Sequence, residues 1–98
     1  MIMVLRRWFV PSAKLERFRE QWRTQIAPEI QRQPGCVRLE VYESSIREHW
    51  VTAVTWDSEE SRLKALQKLS HLQGAFREHE RFEPEILTLR FPRPENAG

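Results

Sequence analysis

A chain of 98 residues has room for one hydrophobic core, because a domain of this size buries only about 60–70% of its unfolded surface. Sixteen basic residues against fourteen acidic ones leave a net charge of +2, and the densest basic points, Arg6-Arg7 and Arg17/Arg19/Arg23, are interspersed with Glu16 and Glu20. That pattern excludes a dedicated nucleic-acid surface, which needs an unbroken Lys/Arg stripe, and the single cysteine, Cys36, excludes an intrachain disulfide.

Ile2 to Val10 is rich in β-branched and aromatic residues and stops at Pro11-Ser12, which predicts a strand followed by a helix starting near Ala13. In that helix Leu15, Phe18, Trp22, Ile26 and Ile30 recur every three or four residues and form one apolar stripe. Pro28 lacks a backbone donor, so the helix is expected to kink or restart near Ala27 before ending at Pro34-Gly35. Cys36 to Ser44 alternates Val37, Leu39 and Val41 against Arg38, Glu40 and Tyr42, the two-residue period of a strand. A polar hairpin connection, Ser44 to His49, leads to a strand from Trp50 to Trp56 that is apolar on both faces.

Asp57-Ser58-Glu59-Glu60 supplies a cap and first-turn acids for a second helix with Leu63, Leu66 and Leu69 as its buried stripe. Ser70 and Gly74 predict a break, then a shorter helix carrying Leu72, Phe76 and His79 and ending at Pro84. Glu85 to Phe91 reads as the last strand, so residues 1–92 form one domain and 93–98 an extended tail. Two strand-helix-strand halves joined by a hairpin give an α+β, ferredoxin-like βαββαβ sandwich with an antiparallel four-stranded sheet and both helices on one face. The opposite face is then apolar and uncovered, which predicts a symmetric homodimer joined sheet to sheet.

Four groups of residues within this pattern, Pro34-Gly35-Cys36, Tyr42-Glu43-Ser44, Trp56-Asp57-Ser58 and Ser70-His71, resemble in order and spacing the antibiotic biosynthesis monooxygenase (ABM) family, over roughly Met3 to Phe91. The resemblance implies a dimeric α+β barrel with a pocket in each protomer between sheet and helices. It also implies a small monooxygenase acting on an aromatic or phenolic metabolite without bound metal or flavin. Superfamily members also include isomerases, haem-degrading enzymes and proteins of unknown activity, so a non-redox isomerase and a non-catalytic homodimeric binding protein stand as alternatives. The chain departs from the family where many members carry a helical histidine, a place held here by Leu66, and near the place of the haem-ligating histidine, where Ala75 stands with His79 one turn later.

His71, at the expected break between helices, is placed to act as a general base on a phenol or enol, or else to cap the junction. Arg6 and Arg38 lie on strands with apolar residues about them, where either can stabilise a substrate oxyanion or pair with Glu40 or Glu43 across the dimer. Trp50, Thr52 and Trp56 share a strand face, with Trp8 on an adjacent strand, and suit either a stacking wall for a flat ligand or core packing. Tyr42 can donate to substrate or close the dimer seam, and Phe76 and His79 face the sheet as lining or core. Three scattered histidines make no metal set, and isolated glycines make no phosphate loop, so no cofactor is expected. Met1 to Leu5 followed at once by Arg6-Arg7 is no signal peptide, and with no long apolar run the expected location is the cytoplasm, without a membrane partner.

Overall fold

The computed structural model describes residues 1–72 and 80–91. Four antiparallel strands, β1 (Ile2–Phe9), β2 (Cys36–Glu43), β3 (His49–Trp56) and β4 (Glu80–Thr88), lie in the order β2-β3-β1-β4. Directly paired residues share a face, so the register sorts the side chains. Val4↔Val54, Arg6↔Thr52 and Trp8↔Trp50 face the helices, whereas Met3↔Thr55, Leu5↔Ala53 and Arg7↔Val51 face the other way. This is the expected ferredoxin-like arrangement.

The first helical arm runs from a 3₁₀ turn (Ser12–Lys14) through α1 (Leu15–Gln21) and a π turn (Trp22–Ile26) into α2 (Ala27–Gln31). The irregularity has a local cause. Pro28 cannot supply the N–H that would bond back to Thr24, and the ladder widens just before it, with the Ala27 N–H reaching the Trp22 carbonyl. The Thr24 hydroxyl donates to the Glu20 carbonyl at 2.7 Å, a bond that also favours bending. The arm therefore restarts at Ala27, where the proline was expected to restart it.

The chain leaves α2 through a turn closed by the Cys36 N–H on the Gln33 carbonyl at 3.2 Å. Pro34 and Gly35 occupy its two central places, and Gly35 has φ +89°, the arrangement of a type II turn. The Gly35 carbonyl accepts from the Asp57 N–H at 2.9 Å, and a methyl group at Gly35 would stand 2.3 Å from Ser61 Oγ and 2.7 Å from Asp57 Oδ1. This turn thus rests directly on the start of α3 (Glu59–Lys68). Ser58 caps α3 by accepting from the Ser61 N–H at 3.1 Å, and the Asp57 carboxyl is held below its ordinary range chiefly by the Ser61 hydroxyl.

The hairpin between β2 and β3 closes through the Ser44 N–H on the His49 carbonyl. Glu48 has φ 64°, and its carboxylate accepts from the Ser12 N–H at 2.6 Å, tying the hairpin to the start of the helical arm. His49 belongs to β3 rather than to the connection, and its ring lies edge-on to Phe9 at 5.4 Å.

Two further expectations are corrected. In α3 the buried position is Ala65, 2% exposed, while Leu63 is 46% exposed; the sheet-facing stripe runs Arg62, Ala65, Leu69 because the small alanine lets the helix approach. The last strand begins at Glu80, so Pro84 lies inside it rather than ending a helix. A proline is accommodated there because β4 is an edge strand and its register against β1 shifts between Leu5 and Arg7, beside Pro84.

Two core clusters sit under the helices, one of Ile2, Val4, Val54, Trp56 and Ala65, the other of Trp8, Val10, Phe18 and Ile26. The opposite face carries Met3, Leu5, Val51 and the exposed Tyr42 and Leu87, with no helix over it among the described residues. No helix of the described residues is long and apolar enough to cross a membrane.

The Gly35 contact generates a stability prediction. Gly35→Ala combines a positive φ with a collision against Ser61 and Asp57, and is expected to lose more than about 2 kcal/mol in urea denaturation. A loss below about 0.5 kcal/mol would show that the turn and α3 move apart freely.

Candidate functional site

Between the two core clusters the helix-facing side of the sheet carries a polar pair, Arg6 and its cross-strand partner Thr52, instead of bulky aliphatics. Over that pair lies a cavity of about 480 Å³. Its floor is Val4, Arg6 and Trp8 from β1, Thr52, Val54 and Trp56 from β3, and Pro84 and Ile86 from β4. The helical arm adds Trp22, Ile26 and Ile30, and α3 with the turn after it adds Arg62, Ala65, Leu66, Leu69 and Leu72. Pro84 and the register shift of β4 lie next to Arg6, so the sheet is irregular where the cavity is polar.

Three indoles therefore face one apolar space that also holds two guanidiniums. The Trp8 Nε1–H donates to Thr52 Oγ1 at 3.1 Å in the buried floor, and the Trp8 ring lies 5.9 Å from that of Phe18. Arg62, whose side chain is 15% exposed, turns one edge to Glu59, with Nε donating to Oε2 at 3.1 Å and Nη2 to Oε1. The carboxylate of Glu59 raises the Arg62 pKa further above its ordinary value, and the same bond lowers that of Glu59. Burial pushes the Cys36 thiol up, which disfavours the thiolate. Among the described residues no cluster of His, Cys, Asp and Glu is arranged to hold a metal ion.

Of the residues singled out from sequence, Arg6, Trp8 and Thr52 come together in the cavity. Trp50 is half-buried against the Trp8 cluster and outside the described lining. Arg38 and Tyr42 pair with Thr55 and Val51 and so lie on the sheet's opposite face, where the Glu40 carboxylate raises the pKa of Tyr42. His71 is exposed on the 3₁₀ turn Ser70–Leu72, one residue from the cavity-lining Leu72. Phe76 and His79 lie outside the described residues.

A profile described as "Antibiotic biosynthesis monooxygenase" matches residues 1–78. The chain belongs to this family. Its fold is similar to that of a Streptomyces nogalater SnoaB variant, described as a cofactor-independent oxygenase, at 26% identity and a TM-score of 0.77 over 96% of this chain and 97% of that one. MupZ from Pseudomonas fluorescens (13% identity, TM-score 0.76, 99% and 98% covered) and HapK from Hahella chejuensis (15%, 0.72, 100% and 100%) share the fold. No protein with a curated description matches the sequence.

Sequence reasoning missed Arg62 and Trp22 as cavity residues of this ABM domain. Both carried a readable signal. Arg62 precedes Ala65, Leu66 and Leu69 by three, four and seven positions, a cation on the sheet-facing stripe, and Trp22 sits on the stripe with Phe18 and Ile26.

The buried indole bond can be tested directly. Thr52→Val leaves the Trp8 N–H without its acceptor and is expected to cost about 1–3 kcal/mol in denaturant unfolding, whereas Thr52→Ser costs less because the hydroxyl is kept. Equal losses in the two variants would assign the effect to packing alone.

Proposed function

We propose that this chain is a small monooxygenase that oxidises an aromatic or phenolic metabolite without bound metal or flavin, and that it works in the cytoplasm as a homodimer joined through the open sheet face. The observation that carries the reading is the cavity itself. Trp8, Trp22 and Trp56 offer stacking surfaces in a space of about 480 Å³, a size suited to a small polycyclic ligand, and Arg6 and Arg62 supply positive charge there. Membership of the family and likeness to a cofactor-independent oxygenase support the same reading.

The chemistry asks little of the protein beyond binding and charge. An electron-rich phenol with an adjacent methylene ionises more readily beside a guanidinium, and the resulting carbanion-like anion has the electrons needed to reduce oxygen. The overall step balances within the substrate and one molecule of oxygen. The methylene carbon gives up both hydrogens and takes one oxygen atom as a carbonyl, while the second oxygen atom leaves with those hydrogens as water. All the electrons that reduce the oxygen molecule come from that carbon. Arg6, on the floor, holds the substrate oxyanion, and stacking excludes water. The proton passes to solvent directly or by way of His71 on the turn beside Leu72.

Purified protein treated with chelator, mixed under air with a panel of anthrones and other phenols that carry an activated ring methylene, is expected to consume one oxygen molecule per carbonyl formed. Arg6→Gln should slow this by about ten- to a hundredfold, the range for loss of one charge-stabilising group. A panel with no uptake would remove the oxygenase reading. A second reading, a binding protein without turnover, draws on the absence of any carboxylate or imidazole from the described lining. It predicts ligand binding with no change in product, with or without oxygen.

The dimer is tested separately. Leu5, Val51, Tyr42 and Leu87, interleaved with the Arg7–Glu85 ion pair and with Arg38 and Glu40, offer an uncovered face that self-association would bury, and sedimentation at micromolar concentration should give twice the monomer mass. Leu5→Glu would be expected to halve it, and a monomeric unmodified chain would refute the dimer.

A further inference from the structure

Arg62 is bound on one edge only. A guanidinium has five N–H donors, and Glu59 takes two of them, Nε–H and one on Nη2, in side-on geometry. The remaining end, formed by Nη1 and the second Nη2 hydrogen, donates to no described residue and is not sealed in the core, since no buried side-chain nitrogen among the described residues lacks a partner; Arg62 lines the cavity and its side chain is 15% exposed. That end is a planar fork whose spacing fits the two oxygens of a carboxylate. Glu59 does not cancel the charge where it counts. Its side chain is half-exposed, so water screens it, and it is not part of the cavity lining, which Arg62 shares with Leu66, Leu69 and Trp56.

Thr52 supplies a second fixed group. Its side chain is 1% exposed and its oxygen already accepts the Trp8 indole proton, while its own hydrogen has no acceptor among the described residues. Toward a ligand such a hydroxyl acts as a donor. Arg6, its cross-strand partner, adds further positive charge to the same floor.

We propose that the cavity selects an aromatic ligand bearing a carboxylate, which docks end-on to Arg62 while the Thr52 hydroxyl donates to a second oxygen on the ring system. This deepens the reading of the cavity as the substrate site and rests on it. The preferred substrate is then an aromatic hydroxy acid rather than the neutral phenol or its ester.

Calorimetric titration under argon compares 1-hydroxy-2-naphthoate with its methyl ester, so that binding is read without turnover. The acid is expected to bind about tenfold tighter or more, the scale of one charge-assisted pair. Arg62→Gln should abolish that preference, and Arg62→Lys, which keeps the charge but loses the fork, should retain only part of it. Thr52→Val, which removes the donated hydrogen, should weaken binding of acid and ester alike. Equal binding of acid and ester, an acid preference that survives Arg62→Gln, or no binding of either at millimolar concentration would overturn the proposal. The oxygenase reading fails separately: acid-selective binding with no oxygen uptake removes it alone, while oxygen uptake at equal rates on acids and esters removes the carboxylate inference alone.

Discussion

The arrangement depends on how closely the Gly35 turn approaches the start of α3. The carbonyl of Gly35 holds the Asp57 N–H, and the missing side chain admits Ser61 and the Asp57 carboxyl into the space a Cβ would fill. That contact joins the start of β2 to the end of β3 and the first turn of the helix. With the N-terminal end of α3 pinned there, the positions that meet the sheet are Arg62, Ala65 and Leu69, and Ala65 sets how near they come. The width of the cavity follows from this seam.

The sheet then divides its labour by face. Toward the helices it packs two aromatic and aliphatic clusters, and in the gap between them it places Arg6 and Thr52. A guanidinium and a hydroxyl cannot close that gap as leucines would, so the gap remains a cavity, and its polar groups lie on a rigid β floor rather than on a loop. The other face keeps small residues, Ala53 and Thr55, on its central strand, with Met3 and Leu5 beside them on β1 and Arg38 and Glu40 on β2, a shallow surface of mixed character.

Much of this was legible in the sequence. The two-residue period of Cys36 to Ser44, the spacing from Leu15 to Ile30 and the cap at Asp57-Ser58 each gave the right element, because each is a local pattern, although on the edge strand β2 only Leu39 of the apolar set is shielded while Val37 and Val41 stay exposed. Pro28 was read correctly for the same reason: a missing donor acts on its own helix. Pro84 was misread because its effect depends on which strand lies at the edge and where the register shifts, and neither is a local property. Leu63 was placed in the core because leucines mark a stripe in sequence, whereas here an alanine and an arginine hold the inner face. Arg38 looked like Arg6, a cation with apolar residues about it on its strand. Only strand pairing shows that the two point to opposite sides of the sheet.

The π turn at Trp22–Ile26 has a consequence beyond the proline that accompanies it. An α-helix carries about 3.6 residues per turn, and the wider turn absorbs about one residue more. Its first and last residues, Trp22 and Ile26, both line the cavity. The turn therefore works as a phase shifter between the two halves of the arm. Gaining or losing a residue there would rotate the aromatic wall over the floor while the sheet, the hairpin and the Gly35 seam stayed in place. At this one point the depth of the cavity is governed by chain length rather than by side-chain identity.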